Sequence, residues 1–436
     1  MAGGTWNKQD KVRAGAYINF KDSKGETNLT SDRGIAGLPL ILPFGPEKQI
    51  IEVSTDTDLF NTIGLEIGED SILMLKEALK KAQKVLIYRL NKGTKASKTL
   101  SGLSVNAKWS GTKGNNITIV IETNIDDTNT YDVSTYVGDK KVDSQTVKTI
   151  NELTENTFVT FSGTGTVTLS AGFKLENGTD GTVTGQDYSD FLSQLELHEF
   201  NTFAVPCDDS AVKLVVKEFV KRLREDEGKR VQAVLPNFKE ADNEGIISIK
   251  NGLYIENNTH IDNIKATAYI AAVTASAGYG VSNTYKVYEG AMDVDVRYSN
   301  KDTINIINDG EIVFVLNNQK VVIEQDINTF KSITDEKGKE FRKNRVIRVL
   351  DGINNLIKSK WEETYIGNQG NTEDGRNLFK KDVLKILETL QAEGALENVT
   401  VDDIEILKGT DSDSVVANVS AKPVDAMEKL YMTVII

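Results

Sequence analysis

The last nine residues of the chain, 428–436, constrain its fold more than any other stretch, because they predict a β-strand that ends with the chain. Successive side chains of this strand are largely apolar on both of its faces: Leu430, Met432, Val434 and Ile436 on one, and Tyr431, Thr433 and Ile435 on the other. Chain ends are usually polar unless they are tied down, and a free strand exposes unpaired backbone N–H and C=O groups. The strand must therefore pair, either inside its own chain or with the sheet of a neighbouring subunit, and these residues leave both alternatives open.

Composition and charge exclude several classes of protein. A net charge of −13 argues against nucleic acid as the main partner, because nucleic-acid binders carry a basic face. The single Cys207 rules out an intrachain disulfide. The polar stretch 1–13 lacks the apolar core of a secretory signal, and the most apolar candidate span, 266–281, is too short and too polar to cross a membrane. We therefore expect a protein that is made in the cytosol and does not insert into membranes.

The pattern along the chain predicts an α+β multidomain protein with a split α/β core domain, and the chain is long enough for about two to four domains. Short strands rich in Thr, Val, Ser and Gly interrupt the core and predict an all-β insertion, although one continuous mixed domain remains an alternative. The predicted parts are an N-terminal arm at 1–31, the core domain at 32–94 and 191–340, the insertion at 95–190, a C-terminal α+β domain at 341–427, and an arm strand at 428–436.

Strand–helix–strand spacing occurs twice in the predicted core and indicates right-handed α/β units. The predicted core elements are a helix at 71–84 capped by Ser71, strands at 85–90, 200–206 and 231–236, a helix capped by Asp208 or Asp209, and a helix at 266–280. The predicted strands of the insertion are at 116–121, 157–161 and 165–169. The predicted elements of the two ends are a strand at 15–20, helices at 346–357 and 377–391, the second ended by Gly394, and strands at 404–407, 415–421 and 430–436.

Residues that could carry chemistry are scarce. The two histidines, His198 and His260, lack the spacing of zinc ligands, and Cys207 follows an apolar strand, where a structural cysteine is more common than a nucleophile activated by His198. The Gly-rich stretch 111–114 leads into a strand and lacks the helix N-terminus of a phosphate site. The acidic pairs at 126–127 and 411–413 lack the full pattern of a Ca²⁺ loop. The residues predict neither a metal nor a cofactor.

One charged stretch stands out against the acidic background. Residues 336–360 hold eight Lys and Arg against three acidic residues, whereas residues 393–436 hold nine acidic residues against three Lys. The alternatives are a solvated helix face, or docking of the basic residues on an acidic protein surface, including this chain's own acidic regions. Opposite charge on two blocks suits head-to-tail self-assembly. The residues with this predicted intersubunit electrostatic role are Arg342, Lys343, Arg345 and Arg348.

Five segments, taken in order, also carry a family resemblance. They are Arg13-Ala-Gly-Ala-Tyr-Ile-Asn-Phe20, Arg33-Gly-Ile-Ala-Gly-Leu-Pro-Leu40, Ile323-Glu-Gln-Asp-Ile-Asn-Thr-Phe330, Lys343-Asn-Arg-Val-Ile-Arg-Val-Leu-Asp351 and Pro423-Val-Asp-Ala-Met-Glu-Lys-Leu-Tyr-Met-Thr-Val434. Along nearly its whole length the chain resembles the tail sheath proteins of contractile phage tails, most of all the branch from phages and phage-derived bacteriocin particles of Gram-positive bacteria. Ala14 departs from the Pro that many relatives carry there.

The resemblance implies a structural subunit without catalytic residues or cofactors. Such subunits form rings of six that stack helically around an inner tail tube, in a particle that also holds baseplate and tail terminator proteins and is assembled in the bacterial cytoplasm. The sheath then contracts and drives the tube through a cell envelope. In the family both chain ends add strands to the C-terminal domains of neighbours. That role would fall here to Ala16, Tyr17, Ile18 and Phe20 at one end and to Leu430, Tyr431, Met432, Val434 and Ile436 at the other.

The family's C-terminal domain touches the tube, which implies a tube-facing role for the helix that bears Arg376, Lys380, Lys381 and Lys385. An ordinary exposed helix face is the alternative. Two other classes of function remain as competing hypotheses. One is a split α/β hydrolase or transferase with a β-rich insertion, which needs a pocket with convergent polar groups. The other is a carbohydrate-binding module formed by residues 95–190.

Overall fold

A computed structural model describes residues 33–335 and 337–435 with their side chains, and the backbone of two short strands before them. Those two strands, β1 (Ala2–Gly4) and β2 (Gly15–Tyr17), pair in parallel and belong to a unit that ends at Asp32. Part of the predicted strand at 15–20 is therefore confirmed, whereas Ile18 and Phe20 lie outside the described residues. A second compact unit begins at Arg33, and the boundaries predicted inside it stay predictions.

The second unit begins with three strands and two helices. They are β3 (Ile35–Leu40), β4 (Ile50–Val53), α1 (Leu59–Ile63), α2 (Leu73–Leu79) and β5 (Lys84–Arg89). The prediction that Ser71 caps a helix over 71–84 is wrong. Ser71 lies inside a 3₁₀ turn (Asp70–Ile72) that precedes α2, so its hydroxyl does not meet the free amides at the helix start.

Antiparallel strands form the next part of the chain. They are β6 (Lys95–Leu100), β7 (Leu103–Ser110), β8 (Ile117–Thr123), β9 (Tyr131–Val137), β10 (Lys140–Val147), β11 (Val159–Gly163) and β12 (Ser170–Lys174). One sheet has the order β10-β9-β8-β12 and the other the order β11-β7-β6. The predicted strand at 165–169 is wrong, because Gly163 and Gly165 have φ of +130° and +106° and turn the chain out of the strand.

The chain then returns to mixed helix and strand. The elements are α3 (Gly185–Leu195), β13 (Thr202–Ala204), α4 (Ser210–Glu225), β14 (Gln232–Pro236), β15 (Ile246–Ile249), β16 (Leu253–Ile255), β17 (Thr259–Ile261), α5 (Asn263–Ser276), β18 (Ala291–Val294), α6 (Asn300–Asn308), β19 (Glu311–Ile312), β20 (Phe314–Asn317) and β21 (Lys320–Ile323). Asp209 caps α4, since its Oδ1 accepts from the amides of Ala211 and Val212. Asp208 instead forms an ion pair with Lys213.

A seven-stranded sheet organises these elements, in the order β19-β15-β14-β13-β3-β5-β4. Its pairings are parallel except that of the edge strand β4, as strand–helix–strand units require. Helices α2 and α5 pack in one apolar core and α3 and α4 in another. Helix α5 is buried on every side between Ala266 and Ala275. The predicted mixture of parallel α/β units and an antiparallel β region is confirmed.

Two long helices and a hairpin form the C-terminal part. They are α7 (Asn344–Thr364), α8 (Glu373–Ala392), β22 (Ile404–Lys408) and β23 (Val415–Val419). Helix α8 begins earlier than predicted because Thr372 caps it, and it ends where Gly394 has a φ of +71°. None of the helices in the described part of the chain is long and apolar enough to cross a membrane.

Gly352 allows α7 to pack closely on the residues that follow α5. A Cβ atom at Gly352 would lie 2.2 Å from Cε1 of the buried Tyr279. We expect Gly352→Ala to lower the free energy of unfolding by about 1–3 kcal/mol, because the helix must move away from the ring. Urea denaturation measures this. Gly278→Ala is the matched control, since its Cβ would meet only ordinary contacts, and an equal loss in both variants would contradict the interpretation.

Candidate assembly surface

The C-terminal tail does not form the strand that its sequence predicts. Residues 424–435 have neither helix nor strand structure in this chain, and Ile436 lies outside the described residues. The apolar side chains of Leu430, Tyr431 and Ile435 are 84%, 89% and 92% exposed. The alternative of an internal strand is therefore not what the structure contains. A contiguous exposed apolar segment of this kind is typical of an interaction site.

The hairpin of β22 and β23 offers open strand edges. Its two strands pair with each other, Ile404 opposite Val419 and Leu407 opposite Val416, and with no third strand in the described part of the chain. Helix α8 packs against β22, whereas Leu407 and Val416 are each 45% exposed. Unpaired edges of this type accept an added strand through backbone hydrogen bonds.

The basic residues of α8 differ in their surroundings. Arg376 is half-buried, and its Nη1 donates to the backbone oxygen of Asn371 (3.1 Å) and to its Oδ1 (3.0 Å). Lys380 is half-buried, whereas Lys381 and Lys385 are exposed. These three lysines form no ion pair within the described residues. Lys381 and Lys385 lie four positions apart on one helix face, which leaves a cationic surface free for an acidic partner.

The basic residues predicted for intersubunit contact are largely used inside the chain. Arg348 is only 2% exposed, and its Nη1 donates to the backbone oxygen of Val281 (2.7 Å). Arg345 is also buried, and Arg342 and Lys343 are half-buried. Arg345 donates to the Gly394 oxygen, Arg342 to the Ile307 oxygen, and Lys343 forms an ion pair with Glu428. Burial lowers the pKa of Arg342 and Arg345.

The alternative of a solvated helix face does not hold for Arg345 and Arg348, because the first half of α7 is surrounded by the chain's own elements. In this conformation Arg345 and Arg348 are not offered to a neighbouring subunit. The contact between Lys343 and Glu428 does join the basic stretch to the acidic C-terminal block, within one chain.

A buried ion pair that sequence reasoning missed joins the core to the C-terminal helices. Arg224 on α4 donates from Nη1 and Nη2 to the two carboxylate oxygens of Asp351 on α7, at 2.7 and 2.9 Å. Burial alone would lower the pKa of Arg224, but the Asp351 carboxylate raises it. Asn355 continues the contact through hydrogen bonds with the backbone N–H and oxygen of Arg230. In the sequence, the one local sign of this burial is that Asp351 lies beside the apolar stripe of α7.

The chemistry-bearing residues are dispersed. Cys207 contacts the hydroxyl of Tyr188, whose pKa is raised, first by burial. His260 Nε2 lies 3.2 Å from Asp295 Oδ2, and its ring stacks on Tyr254. The described residues contain no hydrogen bond between Cys207 and His198, and no group of His, Cys, Asp or Glu that could hold a metal ion.

The enzyme alternative requires a ligand pocket. In α/β proteins such a pocket lies at the carboxyl edge of the parallel sheet, at the point where the strand order reverses. Here that point flanks β3, which has β5 on one side and β13 on the other. On its β5 side, connections of the chain contact one another. Buried Asn91 accepts from the Leu42 amide and donates to the oxygens of Leu42 and Asp180. Gly111 approaches so closely that a Cβ there would lie 1.9 Å from the Pro43 oxygen.

Comparison with known proteins decides between the remaining classes. Four family descriptions match consecutive parts of the chain: "Tail sheath protein Gp18 domain III N-terminal region" (33–90), "Phage tail sheath protein beta-sandwich domain" (91–180), "Phage tail sheath protein central domain" (181–329) and "Phage tail sheath C-terminal domain" (336–436). The phage-like element PBSX protein XkdK of Bacillus subtilis is 37% identical over 100% of this chain and 99% of its own length. The chain belongs to the phage tail sheath family.

Solved structures agree with this assignment. The crystal structure of a sheath tail protein from Desulfitobacterium hafniense has a TM-score of 0.87 and 44% identity, and the match covers 96% of this chain and 99% of that one. The helical sheath of the anti-feeding prophage in its contracted state has a TM-score of 0.57 at 12% identity, over 96% of this chain and 98% of that one, and shares the fold. The multidomain fold class is thereby confirmed. The sheath protein is a structural subunit of a phage-type tail and not an enzyme.

The Arg224–Asp351 pair makes a testable contribution to stability. We expect Asp351→Ala to lower the free energy of unfolding by about 3–5 kcal/mol, because it leaves a buried arginine without its partner. Urea denaturation measures this. Arg222→Ala on the same helix is the matched control, since the Arg222 side chain is 42% exposed and pairs with surface glutamates, and it should cost at most about 1 kcal/mol. Similar losses in the two variants would contradict the assignment.

Proposed function

We propose that the sheath subunits pack as rings of six, stacked helically around an inner tail tube, and are linked by exchanged strands. Residues 430–436 of one subunit would pair with an open edge of the β22–β23 hairpin of a neighbour. The observation that carries this proposal is that the described part of one chain exposes both an apolar tail that pairs with no strand there and a hairpin whose outer edges are unpaired there. Head-to-tail contacts that do not close on themselves generate helical filaments, as a sheath requires.

Strand exchange suits a sheath that contracts. Backbone hydrogen bonds depend only on the geometry within the strand pair, so the link persists while the subunits it connects rotate as rigid bodies. The extended sheath would then be held by a kinetic barrier, and contraction would drive the tube through a cell envelope. The N-terminal residues Ala16, Tyr17, Ile18 and Phe20 would supply a second exchanged arm. Within this chain, the backbone of β2 pairs with β1.

The proposed partners beyond the sheath itself are the tube, the baseplate and the tail terminator of the same particle, with assembly in the bacterial cytoplasm. The particle is either an infectious phage tail or a phage-derived bacteriocin. For the tube we propose the cationic face of α8, with Lys381 and Lys385 at its centre and Arg376 and Lys380 beside them. This assignment rests on the exposure of the two lysines and on the lack of ion pairs to them within the described residues.

Removal of the tail tests the exchanged strand. We expect full-length protein to form long hollow tubes in negative-stain electron microscopy, and a truncation that ends at Lys429, which keeps the buried Glu428, to remain dispersed. Met432→Pro is a second variant that keeps the tail but removes a backbone donor from the strand, and Met432→Thr is its matched control. Both truncation and proline variant should melt like the wild type, because the tail beyond Lys429 is exposed. Tubes from the truncation would contradict the proposal.

Charge reversal tests the tube contact. We expect Lys381→Glu combined with Lys385→Glu to abolish tube-filled tails when sheath and tube proteins are expressed together, because like charges would then face each other. Electron microscopy counts filled and empty sheaths. The control is Lys301→Glu with Lys320→Glu, which changes net charge equally at exposed lysines outside α8. Normal numbers of filled sheaths in the α8 variant would refute this assignment.

A further inference from the structure

Residues 277–284, which follow α5, contact several distant parts of the chain and are called the anchor segment here. Gly280 lies so close to the end of α8 that a Cβ on it would be 2.3 Å from the Glu393 oxygen. Tyr279 packs against Gly352 of α7. The Val281 oxygen accepts from Arg348 of α7 at 2.7 Å. The anchor segment is thus fastened to both long C-terminal helices.

The same place holds the residue at which the chain enters its second compact unit. Arg33 donates from Nε to the Ala277 oxygen (2.9 Å) and from Nη2 to the Thr274 oxygen (3.1 Å), and its guanidinium lies 5.0 Å from the centre of the Tyr279 ring. The two oxygens belong to the C-terminal end of α5, where the helix dipole favours a cation. Arg33 therefore fixes the start of the unit against the anchor segment.

The anchor segment also holds the base of the C-terminal tail. Thr284 Oγ1 donates to Glu428 Oε1 at 2.8 Å, and Lys343 forms an ion pair with the other carboxylate oxygen. The Glu428 side chain is only 10% exposed, whereas Leu430, two residues later, is 84% exposed. Glu428 is therefore the point at which the tail leaves the body of the subunit.

A buried hydrogen-bond network connects these contacts. The Asp326 amide donates to Thr284 Oγ1 (3.0 Å), and Asp326 Oδ2 accepts from the Asn283 amide (3.0 Å) and from Arg348 Nη2 (3.3 Å). Since Arg348 also donates to Val281, the segment is tied to α7 at two points. Charge-assisted hydrogen bonds of this kind, in a buried setting, hold their partners in one arrangement.

We infer that the anchor segment is a shared mount for the two chain ends, with Arg33 and Glu428 as the positioning residues that fix where each end leaves the subunit. A displacement imposed on one end is passed through residues 277–284 and Arg348 to the other. The role of the ends as exchanged arms rests on the proposed function, whereas the mount itself is a property of the single chain. In a sheath, a pull on either arm would reach α7 directly and not only through the exposed hairpin.

Hydrogen–deuterium exchange on the full-length protein, kept dispersed at low concentration, tests the shared mount. We expect Glu428→Ala to speed exchange about tenfold in the peptide that covers 424–429, because a charge-assisted contact is lost. Exchange must also rise in residues 277–284 and in the peptide that begins at Arg33. In turn, Arg33→Gln at the other end of the chain must also raise exchange in the peptide that covers 424–429. Glu397→Ala, which changes an exposed glutamate upstream of the tail, is the matched control.

Charge exchange between the partners separates positioning from general destabilisation. The double variant Lys343→Glu with Glu428→Lys should restore slow exchange in all three peptides, which a loss of overall stability would not do. An increase confined to the mutated end, or no increase, overturns the shared mount. Electron microscopy of the same variants keeps the two proposals distinct. If tubes require residues 430–436 but hydrogen exchange at the two chain ends is not coupled, only the shared mount is refuted. If hydrogen exchange at the two ends is coupled but tubes form without residues 430–436, only the proposed strand exchange is refuted.

Discussion

Backbone groups without partners are the constraint on which the behaviour of this subunit depends. A two-stranded hairpin is marginal by itself, and α8 supports the β22–β23 hairpin on one face while both outer edges stay unpaired in the described chain. The tail after Lys429 is apolar on both faces and exposed. Each feature is a liability for a monomer, since open edges and apolar segments promote association. In the proposed assembly the two liabilities are complementary, and strand exchange between subunits would remove both at once.

Buried charged side chains attach the C-terminal helices to the core, although apolar side chains could also have formed a stable contact there. Arg224 meets Asp351 through two hydrogen bonds, and Arg348 bridges Val281 and Asp326. Buried ion pairs contribute little net stability compared with apolar packing, but they tolerate only a narrow range of positions. An apolar seam would permit α7 to slide by part of a turn. A subunit that has to transmit a displacement gains from the charged seam, because its two halves then move as one body.

Local sequence signals predicted the elements well, and long-range contacts explain where they failed. The apolar spacing of α4, α7 and α8 and a cap at Asp208 or Asp209 depend on neighbours within about one helical turn, so they could be read directly from the chain. The burial of Arg345 and Arg348 could not, because the carbonyl oxygens that accept from them belong to Gly394 and Val281. The Arg224–Asp351 pair spans 127 positions. Nothing local marks which of many charged residues will meet across such a distance.

The α/β sheet shows why a fold associated with catalysis can serve a mechanical purpose. Beside the reversal of strand order at β3, where other α/β proteins place a ligand, Asn91 instead ties the connection that follows β3 to Asp180 of the β region. In the proposed contraction, the work would come from the surfaces between subunits. Such work requires two packings of the same rigid body that differ in buried area, separated by a barrier. A firmly docked α7, and chain ends mounted at one place, supply the rigid body, and the exchanged strands would keep the subunits connected while one packing replaces the other.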